Sequence, residues 1–302
     1  MQIDWSGVIP AATTEFRADG SLALDATARH LDAMISGGIR GAVMLGTVGE
    51  NTSLSYEEKL DVLRAALEAS HGRIPVFAGV AEYTTPIACR FARDAERVGA
   101  DGLMVLPAMV YKSDPRETIA HFRAVARASS LPVLCYNNPS VYGVDLTPEL
   151  FAEMADEPNL TAIKESSEDV RRLTDLKNLT GDRYVLLQGV DDLAMEGALM
   201  GARGWVSGLA NAFPRESVQL WDLATAGQVA QTLPLYRWFM PLLHLDTSPK
   251  LVQYIKLAAA LTGLGAEYVR APRLTLTGAE RARIVQIVEH AIATRPSLVE
   301  VS

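Results

Sequence analysis

The chain has 302 residues, 49% of them hydrophobic and 21% charged, which places it in the ordinary globular range and argues against a disordered or fibrous protein. The 28 Lys and Arg against 36 Asp and Glu leave a formal charge of −8, and without a run of basic residues nucleic acid is not an expected partner. Residues 1–16 lack the basic start and continuous apolar segment of a leader, and no uncharged apolar stretch of ~18 residues occurs, so a cytoplasmic protein without a membrane span is expected.

Short β-rich runs recur along the chain at Gly7 to Ala11, Gly41 to Thr47, Pro75 to Val80, Gly102 to Pro107, Pro132 to Asn137, Leu160 to Ser166, Tyr184 to Gly189 and Gly204 to Leu209. Each ends in small or polar residues and is followed by an amphipathic helical stretch. Helix starts are marked by Ser55 before Tyr56-Glu57-Glu58, by Thr84 before Thr85-Pro86 and by Thr147-Pro148-Glu149. Eight βα units with nearly continuous apolar strands predict a (β/α)8 TIM barrel. An open doubly wound sheet is the alternative, but no GxGxxG follows the first strand.

After the eighth unit the alternation stops. Three successive helices are predicted over Gln228 to Leu243, Pro249 to Leu261 and Thr277 to Ala293. The expected organisation is therefore a catalytic barrel over 1–226 and a C-terminal three-helix extension over 227–302, packed on the barrel or on a neighbouring subunit.

In a barrel, reactive groups belong at the C-terminal ends of the strands. Lys164 lies inside the sixth strand-like run, where burial depresses an ammonium pKa and frees the amine for attack on a carbonyl or imine. The alternative is a structural lysine paired with Glu165 or a loop acid. Tyr136 ends the neighbouring fifth run, where it serves either as a proton relay or as a core tyrosine with a satisfied hydroxyl. Thr47, in a Gly-flanked turn, offers a hydroxyl and successive backbone N–H groups for a carboxylate, although most such turns only change direction. Ser207, at the end of the eighth run, is a further expected binding residue. A phosphate site in that loop is a minor reading, since no Lys or Arg lies between Gly204 and Pro214.

Cys89 and Cys135 show neither disulfide nor zinc spacing, and Cys135 is expected to be a buried wall residue. His30, His71, His121, His244 and His290 have no paired-ligand spacing, so no metal is expected.

Taken in order, Gly7-Val8-Ile9-Pro10-Ala11, Gly46-Thr47-Val48-Gly49-Glu50, Tyr136-Asn137-Asn138-Pro139, Ile163-Lys164-Glu165 and Gln188-Gly189-x-Asp191 resemble the dihydrodipicolinate synthase and N-acetylneuraminate lyase family. The resemblance spans nearly the whole chain. It implies a Schiff base on Lys164 with no other cofactor, Tyr136 as proton relay and Thr47 as its hydroxyl partner. It also implies a carboxylate cradle at Thr47-Val48, and a homo-oligomer with a tetramer favoured.

Within the family, dihydrodipicolinate synthases carry Thr where this chain has Val48 and Arg where it has Val141. Their cross-subunit Tyr has no counterpart in register after Pro107, where Ala108 and Met109 follow and Tyr111 is displaced. These departures make dihydrodipicolinate synthesis an unexpected activity. The run Tyr-Asn-x-Pro-x-Tyr-Gly through Gly143 and Pro249-x-Leu251-Val252-x-Tyr254-x-Lys256 instead look most like 1-pyrroline-4-hydroxy-2-carboxylate deaminases of hydroxyproline degradation. That implies conversion of a cyclic α-imino acid to 2,5-dioxopentanoate and ammonia, with Asn138 and Tyr142 near the substrate. The rivals are an aldolase or dehydratase for 2-keto-3-deoxy sugar acids and a non-catalytic barrel that binds a small acid.

Overall fold

A computed structural model describes residues 3–297 of the chain. Its strands are β1 (Gly7–Pro10), β2 (Ala42–Met44), β3 (Val76–Val80), β4 (Gly102–Val105), β5 (Val133–Asn137), β6 (Leu160–Glu165), β7 (Val185–Gln188) and β8 (Gly204–Ser207). All pair in parallel, in the order β1-β8-β7-β6-β5-β4-β3-β2. The gap between β1 and β2 is spanned by a bridge of Ala11 to Val43 and by bonds from Arg40 N to Val8 O and Ala12 N to Val43 O, each 2.9 Å. The result is a nearly closed (β/α)8 TIM barrel followed by C-terminal helices.

Apart from Gly7, Thr161 and Val185, every strand residue is buried. Side chains on one strand face pack into the barrel and those on the other pack under helices, so nothing selects for polar alternation. The ladders are shorter than the apolar runs. The second run stops at Met44 because Leu45 takes a left-handed backbone (φ 64°), and Leu209 opens a 3₁₀ turn rather than ending β8. Beyond these points the composition is unchanged but ladder partners are lacking, and the freed segments form the loops of the open face.

Ser55 caps its helix as expected, its hydroxyl accepting from Glu58 N at 3.2 Å while Ser55 N donates to Glu58 Oε2 at 2.8 Å. The three C-terminal helices are Val229–Leu243, Leu251–Leu261 and Gly278–Ala293. They pack on the barrel. Lys256, wholly buried in the second of them, donates to Thr14 O at 2.8 Å and to Glu50 Oε1 at 2.9 Å, beneath the turns that follow β1 and β2. The connection over 244–250 crosses the open face and brings Asp246 to it. No helix among the described residues is long and apolar enough to cross a membrane.

Candidate active site

Alternation along β6 puts Lys164 and Ser166 on the face opposite to Ile163 and Glu165. In the β5–β6 ladder Lys164 is registered beside Tyr136, and its Nζ lies 3.9 Å from the tyrosine ring centroid. Glu165, the alternative partner for this lysine, is engaged elsewhere, accepting from Asn137 Nδ2 at 3.1 Å and from Ser167 N at 2.7 Å. Among the described residues no carboxylate forms an ion pair with Lys164. Burial therefore holds its pKa below the ordinary lysine value, with Asp246, Tyr142 and Asp191 pulling weakly the other way.

Lys164 opens into a cavity of about 530 Å³ whose wall also includes Thr47, Val48, Tyr136, Asn138 and Tyr142. Six of the seven site residues expected from the sequence thus meet in one space. Ser207 does not. It is buried behind the wall, where its hydroxyl donates to Asp191 Oδ2 at 3.1 Å and accepts from Ala210 N at 3.0 Å.

The Tyr136 hydroxyl accepts from Asn138 Nδ2 at 3.1 Å, and burial pushes its pKa up to about 12. Tyr142 closes the short helix Pro139–Tyr142, which Asn138 caps by accepting from Val141 N at 3.0 Å. Its ring meets that of Tyr136 edge-on, with centroids 5.6 Å apart and planes at 82°. The Tyr142 hydroxyl is bonded to Thr47 Oγ1 and interacts with the Tyr136 hydroxyl. Thr47 therefore reaches Tyr136 through Tyr142 and not directly, as the sequence reading had it. Neither Thr47 nor Val48 gives its N–H to a backbone carbonyl of the described residues, so both remain available to an anion.

Four participants were given no role from the sequence. Ser166 is buried in the cavity wall, with its hydroxyl beside that of Tyr136. Its position two residues beyond Lys164 on the same strand face was a usable signal. Gly189 faces both. A Cβ there would fall 2.0 Å from Ser166 Oγ and 2.8 Å from Lys164 Cε, so only glycine leaves room for this arrangement. Asp246 and Arg273 also line the cavity, from the connection between C-terminal helices and from the loop before the last helix. No local pattern marks either.

Asp191 lies behind the wall, fully buried. It accepts from Trp205 Nε1 (2.9 Å), Ser207 Oγ (3.1 Å), Leu209 N (2.8 Å) and Gly208 N (3.3 Å). Burial and the facing Asp246 push its pKa upward, against the pull of these donors. Among the described residues no cluster of His, Cys, Asp and Glu is arranged to hold a metal ion.

The family model described as the dihydrodipicolinate synthetase family matches residues 4–291. A 4-hydroxy-tetrahydrodipicolinate synthase from Methanothrix thermoacetophila is 32% identical over 286 residues, covering 93% of this chain and 95% of that protein. A relative of the same name from Cereibacter sphaeroides is 34% identical, covering 94% and 98%. Among solved structures, a putative dihydrodipicolinate synthetase from Pseudomonas aeruginosa superposes with a TM-score of 0.90 at 32% identity, covering 95% of this chain and all of that one.

These relatives overturn two expectations. The deamination of 1-pyrroline-4-hydroxy-2-carboxylate, with its sugar-acid and non-catalytic rivals, finds no support among them. Dihydrodipicolinate synthesis, unexpected from the sequence, is the activity that the relatives' names carry. The physical error lay in judging a cavity from three local motifs. Val141 does lack a guanidinium, but the cavity wall also draws on distant segments, among them Arg273, whose guanidinium is held by Ser53 and Glu50.

Proposed function

The chain belongs to the dihydrodipicolinate synthetase family, and on that footing we propose that it is a lyase of the 4-hydroxy-tetrahydrodipicolinate synthase type. Lys164 condenses with pyruvate, and the adduct adds to an aldehyde, aspartate semialdehyde being the first to test. The observation that carries this reading is a buried lysine without an ion-pair partner among the described residues, lying against Tyr136 at the wall of a cavity sized for small molecules. The family's chemistry runs through a lysine Schiff base and uses no metal or other cofactor.

The residues suit each step. The neutral Nζ of Lys164 attacks C2 of the 2-oxo acid. The carbonyl oxygen takes up protons through Tyr136 and leaves as water, and the nitrogen becomes an iminium. The substrate carboxylate is held by the free N–H groups of Thr47 and Val48.

With the iminium as electron sink, a proton leaves C3 and the enamine attacks the aldehyde carbon, whose oxygen gains a proton to become the hydroxyl. The acceptor's own amine then closes on C2 and displaces Lys164. The linked hydroxyls of Tyr136, Tyr142 and Thr47 give these protons a route that needs no mobile loop. Arg273, whose guanidinium bonds Ser53 Oγ at 3.3 Å and lies 3.8 Å from Glu50 Oε2, lines the cavity as the cation nearest to an acceptor's carboxylate.

Borohydride with pyruvate should add one reduced pyruvyl group at Lys164, and pyruvate with aspartate semialdehyde should then be consumed together. Trapping at another lysine overturns the covalent assignment. Trapping at Lys164 without joint consumption overturns the acceptor.

A further inference from the structure

Two acids line the cavity without a partner among the described residues, Glu168, which is exposed, and Asp246, which is half-buried. The Asp246 backbone N–H bonds to Leu243 O, but among the described residues its carboxylate makes no hydrogen bond and no ion pair. The more deeply buried acids nearby are committed. Asp191 is held by four donors, and Glu165 by Asn137 and Ser167 on the far side of β6.

The carboxylate is also admitted by design of the backbone beneath it. A Cβ on Gly208 would lie 1.9 Å from Asp246 Oδ1, so any larger residue after β8 would expel it from its place. There it lines the same cavity as Lys164 and is drawn electrostatically toward that amine, beyond ion-pair distance.

An unpaired, half-buried carboxylate is costly unless a cation arrives to meet it. The free amine of Lys164 is a poor partner, because burial favours its neutral form. The Schiff base differs. Once the nitrogen is bonded to C2 of a 2-oxo acid, the reactive form carries a positive charge, and that charge develops on the side of the cavity that Asp246 faces.

We propose that Asp246 is the counter-ion of the Lys164 Schiff base, a positioning residue that favours the protonated iminium over the free amine plus 2-oxo acid. The inference rests on the Schiff-base reading above and adds to it the group that stabilises the intermediate. In the covalent step itself atoms balance without Asp246: Nζ gains a double bond to C2, the carbonyl oxygen leaves as water, and the proton retained on nitrogen provides the charge. Asp246 supplies the opposing charge and exchanges nothing. It also makes the iminium a steadier electron sink while the C3 proton departs.

The test compares wild type, Asp246→Asn and Asp246→Glu in the full chain. It measures the pyruvate concentration that half-saturates borohydride trapping, and the exchange of pyruvate C3 protons for deuterium by NMR in D2O. Neither readout needs an acceptor aldehyde. Asp246→Asn should raise the half-saturating pyruvate concentration about tenfold or more and slow the exchange to match, because a facing unit charge is removed. Asp246→Glu should recover part of both, and melting temperatures should show all three proteins folded.

Unchanged trapping and exchange in a folded Asp246→Asn protein would overturn the proposal. So would equal losses in Asn and Glu, which would mark Asp246 as merely structural. Failure of wild type to trap pyruvate would instead overturn the Schiff-base reading itself, and the counter-ion with it.

Discussion

Lys164 and Lys256 are both buried lysines, yet the molecule treats them as opposites. Lys256 is wholly enclosed, bonded to Thr14 O and Glu50 Oε1 and placed 4.4 Å from the Phe16 ring centroid. Lys164 has one face against Tyr136 and the other open to the cavity, with no ion-pair partner among the described residues. Burial depresses the pKa of both, but at Lys256 the attraction of Glu50 and Glu15 opposes it with an ion pair already in place. Burial alone does not make a nucleophile. What distinguishes Lys164 is burial without a partner, together with an approach route for a carbonyl.

The strongest challenge to this contrast is removal of the amine. Lys164→Ala should abolish pyruvate trapping and turnover while the protein stays folded, since no ion pair is broken. Residual trapping shifted to Lys256 would erase the distinction.

Tyr136→Phe keeps the ring against Lys164 but removes the hydroxyl, and should lower kcat about 10²- to 10⁴-fold with little change in KM. A loss under tenfold would return Tyr136 to a packing role.

Lys256→Met should leave pyruvate trapping at Lys164 but destabilise the fold by about 3–5 kcal/mol, because Glu50 is then buried without its main cation. Denaturant unfolding measures this. A stable Lys256→Met protein with lost trapping would invert the roles assigned to the two lysines.

Tyr142→Phe breaks the hydroxyl link to Thr47, and a rate loss of about tenfold is expected from one hydrogen bond. Steady-state kinetics beside Tyr136→Phe would show whether the second hydroxyl belongs to the same relay, since members of one relay are not additive.

The mildest perturbation is pH. A lysine with its ordinary pKa of 10.5 loses free amine tenfold for every unit below that value. The lowered pKa of Lys164 preserves its free amine further down, so the trapping rate should level off at a pH below 10.5. A rate still rising through 10.5 would show that burial leaves this amine no more nucleophilic than an exposed one.

The barrel was legible in the sequence because parallel strands buried on both faces read as apolar runs, and because βα units repeat. Strand ends were less so. Leu45, Ser166 and Leu209 share the composition of the ladders but lie beyond them, and one backbone angle at Leu45 decides where β2 stops.

Of the site, residues at strand ends were visible: Lys164, Tyr136 and Thr47 occupy positions that the barrel always exposes. Ser207 was misassigned, since a strand-end hydroxyl can serve the wall behind the cavity as readily as the cavity itself. Asp246 lay beyond reach. It follows the apolar segment Met240-Pro241-Leu242-Leu243-His244-Leu245, and nothing local says that the connection after that helix folds over Gly208. Reaction choice was misread for the same reason, because part of the cavity wall comes from segments far from the motifs, the loop of Arg273 among them.

That connection also bears on how such a protein can diverge. Asp246, Thr247, Ser248 and Pro249 contribute to the cavity but to no strand ladder, and most of the segment is solvent-accessible. Residues of this kind can be exchanged with little threat to stability. A lineage that keeps the nucleophile, its relay and Asp246 is therefore free to trial new substrate contacts at Thr247, Ser248 and Pro249, and mutational libraries confined to these positions offer the same freedom to an experimenter.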